Sequence, residues 1–156
     1  MSRHPRLTTG GVLDLDSVMG VMKDSFDPAF GEAWSAPQCA GLLPMPGVWL
    51  VMAEDAGEVA GFSLARVVAD EAELLLLAVK QKAQRQGTGK LLLRRFFEDA
   101  AARGAGRFYL EVRDGNSAVS LYKSMGFKEV GRRAKYYTGC DGQIYDSITL
   151  SRPAKT

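Results

Sequence analysis

The stretch Gln84-Arg85-Gln86-Gly87-Thr88-Gly89-Lys90 is the part of the chain whose residue types and spacing most directly suggest chemistry. Two glycines one residue apart let the backbone turn tightly and come close to a ligand. Where such a turn opens a helix, successive N–H groups form a nest for an anion, and Arg85 and Lys90 add positive charge. The implied ligand is a phosphate or pyrophosphate. Three phosphate-binding patterns compete. A Walker A loop needs Gly five residues before Gly89 and Ser or Thr after Lys90, where the chain has Gln84 and Leu91. A dinucleotide fingerprint needs three spaced glycines, and only Gly87 and Gly89 are present. The third pattern, Gln/Arg-x-x-Gly-x-Gly/Ala, is met by Gln84, Gly87 and Gly89. A glycine-rich helix start without any ligand would carry the same residues.

Other chemistries find fewer residues. The lone histidine, His4, stands near the terminus, which argues against a histidine-based triad or a histidine-containing metal site. Cys39 and Cys140 are far apart and lack paired-ligand spacing, so a disulfide framework and a zinc site are both poorly supported. No metal is expected. A net charge of +2 with interspersed signs gives no electrostatic footprint for direct nucleic-acid binding. No apolar run spans a membrane, and the first residues lack the apolar stretch of a signal peptide, so the expected compartment is the cytoplasm.

The elements that must position the turn can be read from periodicity. With 156 residues, 46% hydrophobic, one domain over residues 1–156 can bury a core of its own. Arg6 to Thr9 reads as a short strand. Asp14 to Ser25 reads as a helix capped by Asp14, with Leu15, Val18, Met19 and Met22 at helical spacing. Phe26 to Trp34 is loop-like. Ser35 caps a second helix through Leu43, which Pro44, Pro46 and Gly47 end. Strands follow at Val48 to Ala53, Val59 to Val68 and Glu73 to Val79, the last apolar on both faces as in the middle of a covered sheet. Gly87 to Arg103 is an amphipathic helix with Leu92, Phe96 and Ala100 on one stripe. Phe108 to Arg113 is a strand whose Phe108, Leu110 and Val112 face one side, while Tyr109, Glu111 and Arg113 face the other. A short helix at Ser117 to Met125 precedes an antiparallel pair, Lys128 to Tyr137 and Gln143 to Leu150. The order β-α-α-β-β-β-α-β-α-β-β is that of a mixed α/β domain with a strand–helix–strand crossover.

These segments also carry a family resemblance. Ala78-Val79, Gln84 to Gly89, Leu110-Glu111-Val112-Arg113, Asn116, Leu121-Tyr122 and Gly126-Phe127 together resemble the core of GNAT acetyltransferases. More narrowly, Val67 to Ala72, Leu110 to Arg113, Gly131-Arg132-Arg133, Tyr136-Tyr137 and Trp34-Ser35 are similar to the bacterial ribosomal-protein-alanine N-acetyltransferases of the RimI type. The match runs from about Trp34 to Leu150 and is densest after Gly61.

The resemblance implies the GNAT fold: a mixed, mostly antiparallel sheet with a splayed central parallel pair and flanking helices. It implies acetyl-CoA as co-substrate. The pantetheine arm would pair with the backbone of Leu77, Ala78 and Val79, and the pyrophosphate would rest on Arg85, Gln86, Gly87, Thr88, Gly89 and Lys90. Asn116 is the family's further cofactor contact. Here it precedes Tyr122 by six residues instead of the family's seven, so that contact falls on a shifted Asn116, on Gly115 or on Ser117. Glu111 takes the place of the general base and Tyr122 that of the general acid. Tyr136 and Tyr137 are candidates to shape the groove for the acceptor. The acceptor implied is the N-terminal alanine of a small-subunit ribosomal protein; another protein N-terminus, a lysine or a small amine would use the same chemistry. A non-catalytic CoA-binding module would keep the Gly87–Gly89 turn without an acid–base pair. A monomer or weak dimer is expected.

Overall fold

The computed structural model describes residues 5–155; His4 lies outside them. The elements occur in the expected order. They are β1 (Arg6–Gly10), α1 (Leu15–Ser25), α2 (Ala36–Leu42), β2 (Val48–Asp55), β3 (Glu58–Val68), β4 (Glu71–Val79), α3 (Thr88–Ala102), β5 (Arg107–Arg113), α4 (Val119–Ser124), β6 (Lys128–Thr138) and β7 (Ile144–Pro153). They form one seven-stranded sheet in the order β1-β2-β3-β4-β5-β7-β6. Every neighbouring pair is antiparallel except β4 and β5.

Local sequence accounts for several boundaries. Ser35 caps α2 as expected: its Oγ accepts from Gln38 N at 3.3 Å, while Gln38 Oε1 accepts from Ser35 N at 2.7 Å. Asp14 does sit at the cap position of α1, but its carboxylate reaches back to accept from Gly11 N at 2.8 Å instead of capping the helix. β4 starts at Glu71, two residues before the expected Glu73, because the turn is made one step earlier by Ala69, whose φ is 54°. α4 is shorter than the expected Ser117 to Met125, since Asn116 first builds a turn by accepting from Ala118 N.

Each face of the sheet carries its own apolar cluster. On one face Phe96 and Leu93 of α3 pack with Trp49, Phe108, Leu110 and Leu150. On the other, Val18, Val21 and Met22 of α1 pack with Leu50, Phe62 and Leu64. β4 contributes to both in an unusual way. Ala72 and Leu74 face the α3 side, yet Leu76 and Ala78 face the α1 side. Side chains two apart on a regular strand share a face, so the register must slip between them. It does: Ala65 pairs with Leu74 and Leu64 with Leu76, which leaves Leu75 as the extra residue of a β-bulge.

Candidate active site

The bulge at Leu75 coincides with the end of the parallel ladder. β4 and β5 pair only from Glu71–Arg107 to Leu74–Leu110. Beyond that the strands part, and β5 continues to pair with β7 alone. A bulge bends its strand and increases the local twist, which turns the end of β4 away from β5. The result is a cleft of about 550 Å³ running through the opened sheet.

Leu77, Ala78 and Val79 line one wall of this cleft. Lys80 N donates to Ala60 O at 2.8 Å, so along an antiparallel pair the alternation points the N–H and C=O groups of Leu77 and Val79 away from β3 and into the gap. The Val79 carbonyl accepts from Gln84 Nε2 at 2.9 Å, which ties the strand end to the glycine turn. Of the predicted diphosphate residues Gly89 lines the cleft, as does Gln84, whereas Arg85, Gln86, Gly87 and Lys90 are exposed beside them in the chain and Thr88 is buried, none of these five lining it. Gly87 is the N-cap of α3, with φ 84° and no side-chain cap. A Cβ built on Gly87 would meet nothing within 4 Å, so the space beside the helix start is open. The first-turn N–H groups of a helix have no intrahelical partners, and without a capping side chain they are available to an outside anion.

Glu111 and Tyr122 line the same cleft. Glu111 projects from β5 on the face opposite Phe108, Leu110 and Val112, and Arg133 Nη2 of β6 lies 3.0 Å from its Oε1. Tyr122 is buried on α4, edge-on to Phe127. Burial pushes its phenol well above the ordinary tyrosine range, helped by the negative charge of Glu32. Tyr136 and Tyr137 form the far wall, their rings 4.9 Å apart and edge to face. Tyr137 is pushed up to about 12, chiefly by burial. Asn116 also reaches the cleft, but its side chain is engaged within the protein: Oδ1 accepts from Ala118 N and Nδ2 donates to Glu32 Oε1, both at 2.7 Å. Ser117 lines the cleft beside it and is exposed.

Sequence reasoning missed a second carboxylate. Glu32, in the loop after α1, is 10% exposed and lies 3.2 Å from the Nε of Arg113 on β5. The contact is ionic without being aligned, since that Nε makes no hydrogen bond. Arg113 is held from above by Phe30, its guanidinium 3.8 Å from the ring centroid. Nothing local to Glu32 signals this role, because its partners Asn116 and Arg113 are more than eighty residues away in the chain. Among the described residues no group of three or more His, Cys, Asp or Glu is placed to hold a metal ion.

The family model described as Acetyltransferase (GNAT) family matches residues 15–127. The chain belongs to the GNAT acetyltransferase family. Its mixed, mostly antiparallel sheet with a splayed central parallel pair and flanking helices is the GNAT arrangement expected above. Among curated proteins this GNAT chain is 41% identical over 98 residues to the [Ribosomal protein bS18]-alanine N-acetyltransferase of Escherichia coli strain K12. That match covers 62% of this chain and 66% of the relative, a little under two thirds of its length. Among solved structures, the ribosomal-protein-S18-alanine N-acetyltransferase from Escherichia coli superposes with a TM-score of 0.86 and 31% identity, covering 97% of this chain and 94% of that one. A phosphinothricin acetyltransferase from Sinorhizobium meliloti, solved in complex with AcCoA, shares the fold with a TM-score of 0.81 at 19% identity, covering 97% and 89% of the two chains.

Proposed function

We propose that this chain transfers an acetyl group from acetyl-CoA to the N-terminal alanine of a small-subunit ribosomal protein. The observation that carries the reading is the cleft itself: Glu111, Tyr122 and the strand end Leu77–Val79 line one opening that leads to the uncapped start of α3. The likeness to ribosomal-protein-alanine N-acetyltransferases supports the choice of acceptor. A ribosomal acceptor would place the protein in the cytoplasm, and among the described residues no helix is long and apolar enough to cross a membrane.

The residues present fit the co-substrate. Backbone groups of Leu77 and Val79 would hold the amide-bearing arm, with Ala78 between them. The amides from Arg85 to Lys90 and the charges of Arg85 and Lys90 would hold the diphosphate. Ser117, or the unused donor and acceptor capacity of Asn116, would complete the hold. When bound, acetyl-CoA supplies a thioester as the acyl donor.

Glu111 accepts the proton that the acceptor amine must lose before it can attack. An α-amine loses it near pH 8 and a lysine near 10.4, which favours an N-terminus at neutral pH. The buried phenol of Tyr122 keeps its proton across the physiological range, so it serves as a hydrogen-bond donor toward the departing sulfur and gives up the proton as negative charge develops there. Tyr136 and Tyr137 shape the acceptor end.

A peptide panel with labelled acetyl-CoA tests the acceptor. An alanine-starting peptide of ribosomal sequence should outperform peptides blocked at the α-amine, lysine side chains and polyamines. Preference for a small amine would remove the ribosomal reading and leave the chemistry. In cells, mass spectrometry of ribosomal N-termini from a strain lacking this gene should show one alanine-starting protein unacetylated.

A further inference from the structure

The two carboxylates of the cleft are each paired with an arginine, but in opposite circumstances. Glu32 and Arg113 are 10% and 9% exposed, and Phe30 covers the guanidinium. That pair is largely enclosed. Glu111 and Arg133 are 19% and 61% exposed. Arg133 stands on β6, the last strand of the sheet, and β6 loses its register with β7 between Arg133 and Tyr137. Lys135, inside that irregular stretch, has φ 55°. Besides Glu111, the guanidinium meets the ring of Tyr136, 5.5 Å from its centroid. A side chain so placed can turn outward into water at little cost.

An acceptor amine enters the cleft mostly protonated, as a cation with N–H donors that must come within hydrogen-bond reach of Glu111. Arg133 Nη2 is a cation with N–H donors 3.0 Å from that carboxylate. Two cations crowding one carboxylate repel each other. We propose that Arg133 is a resident cation standing in the acceptor's place, and that an incoming ammonium displaces it from Glu111. The exchange is charge-neutral for the cleft. It makes Arg133 a specificity-determining residue: an amine arriving uncharged gains less from the exchange, and acceptor binding carries the cost of breaking an ion pair.

The proposal rests on Glu111 as the base of the proposed function. The test is steady-state kinetics at saturating acetyl-CoA, with an alanine-starting hexapeptide and in parallel with spermidine, for wild type, Arg133→Gln and Arg133→Lys. An exposed ion pair is worth at most about 1 kcal/mol, so Arg133→Gln should lower the acceptor KM by about two- to fivefold. Arg133→Lys, which keeps a competing cation, should stay close to the wild-type KM. An unchanged or raised KM in Arg133→Gln overturns the proposal. So does a loss of kcat at constant KM that lysine rescues, because Arg133 would then orient Glu111 instead of competing for it. Unchanged melting temperatures show that the variants remain folded. The two readings fail separately. Near wild-type turnover in Glu111→Gln sinks the base assignment; loss of turnover there, together with an unmoved KM in Arg133→Gln, sinks the resident cation alone.

Discussion

Glu111 and Tyr122 are reached by different kinds of reasoning. The alternation of Phe108 to Arg113 already turns Glu111 away from the core, and the structure keeps it there, partly open on the cleft. Tyr122 sits on an apolar stripe where packing and catalysis leave the same sequence pattern, and it both packs on Phe127 and lines the cleft. Glu111→Gln and Tyr122→Phe should each lower kcat by about tenfold to a thousandfold with the fold retained, measured with the preferred acceptor at saturating acetyl-CoA. Tyr122 also makes a prediction about pH. An unfolded tyrosine ionises near pH 10, and burial holds the folded phenol above that. Between the two values the unfolded chain has released a proton that the folded chain keeps, so stability present below about pH 10 is lost as pH rises further. Urea unfolding of Tyr122→Phe between about pH 9.5 and 11 should therefore show a shallower decline than wild type, and identical slopes would count against this account. Glu32 was not legible at this scale, because a glutamate in a Pro- and Gly-rich loop looks solvated until the fold brings Arg113 and Asn116 to it.

At the scale of elements, the bulge at Leu75 was hidden by the very composition that revealed β4. Glu73 to Val79 is apolar at nearly every position, so no alternation exists whose interruption could mark an extra residue. The glycine turn, by contrast, was legible because its residue types are demanded by backbone geometry. A second glycine pair was not. Gly31, with φ 68°, lies against the Thr138 carbonyl, and Gly139 lies against the Ala29 carbonyl so closely that a Cβ at either site would overlap backbone. Cys140 N donates to Pro28 O at 3.0 Å in the same contact. The loop carrying Phe30 and Glu32 is thereby docked on the β6–β7 turn. Gly139→Ala should force these segments apart, costing about 1–3 kcal/mol in denaturant unfolding. It should raise the acceptor KM while acetyl-CoA affinity, set at the far end of the cleft, stays within about twofold. A matched loss of affinity for both would show that the contact supports the whole cleft and not its acceptor end.

For the molecule as a whole, element order and the mixed α/β class were legible because the helices and most of the strands carry their own period and β4 is a bounded apolar run, and the GNAT fold followed from the family resemblance; the sheet order was not legible, since only tertiary pairing decides that β7 lies between β5 and β6. The α3 side of the sheet is organised around Phe96, which is fully buried and stacks on Trp49 and meets Phe108 edge-on. Phe96→Ala should destabilise the fold by about 3–5 kcal/mol, read as a lowered urea midpoint with an unchanged slope. The four-residue ladder between β4 and β5 has a further mechanical meaning. Strands β1 to β4 and strands β5 to β7 are two leaves stitched along a short seam, and the amides of Leu77 and Val79 are loose threads at its open end. A ligand that bridges the leaves would complete the seam, adding about 2.7 kcal/mol to unfolding at a hundred times its Kd. Amide hydrogens at these two positions, deep in the sheet by sequence yet bordering water, should then exchange quickly in the free protein and slowly in the bound one.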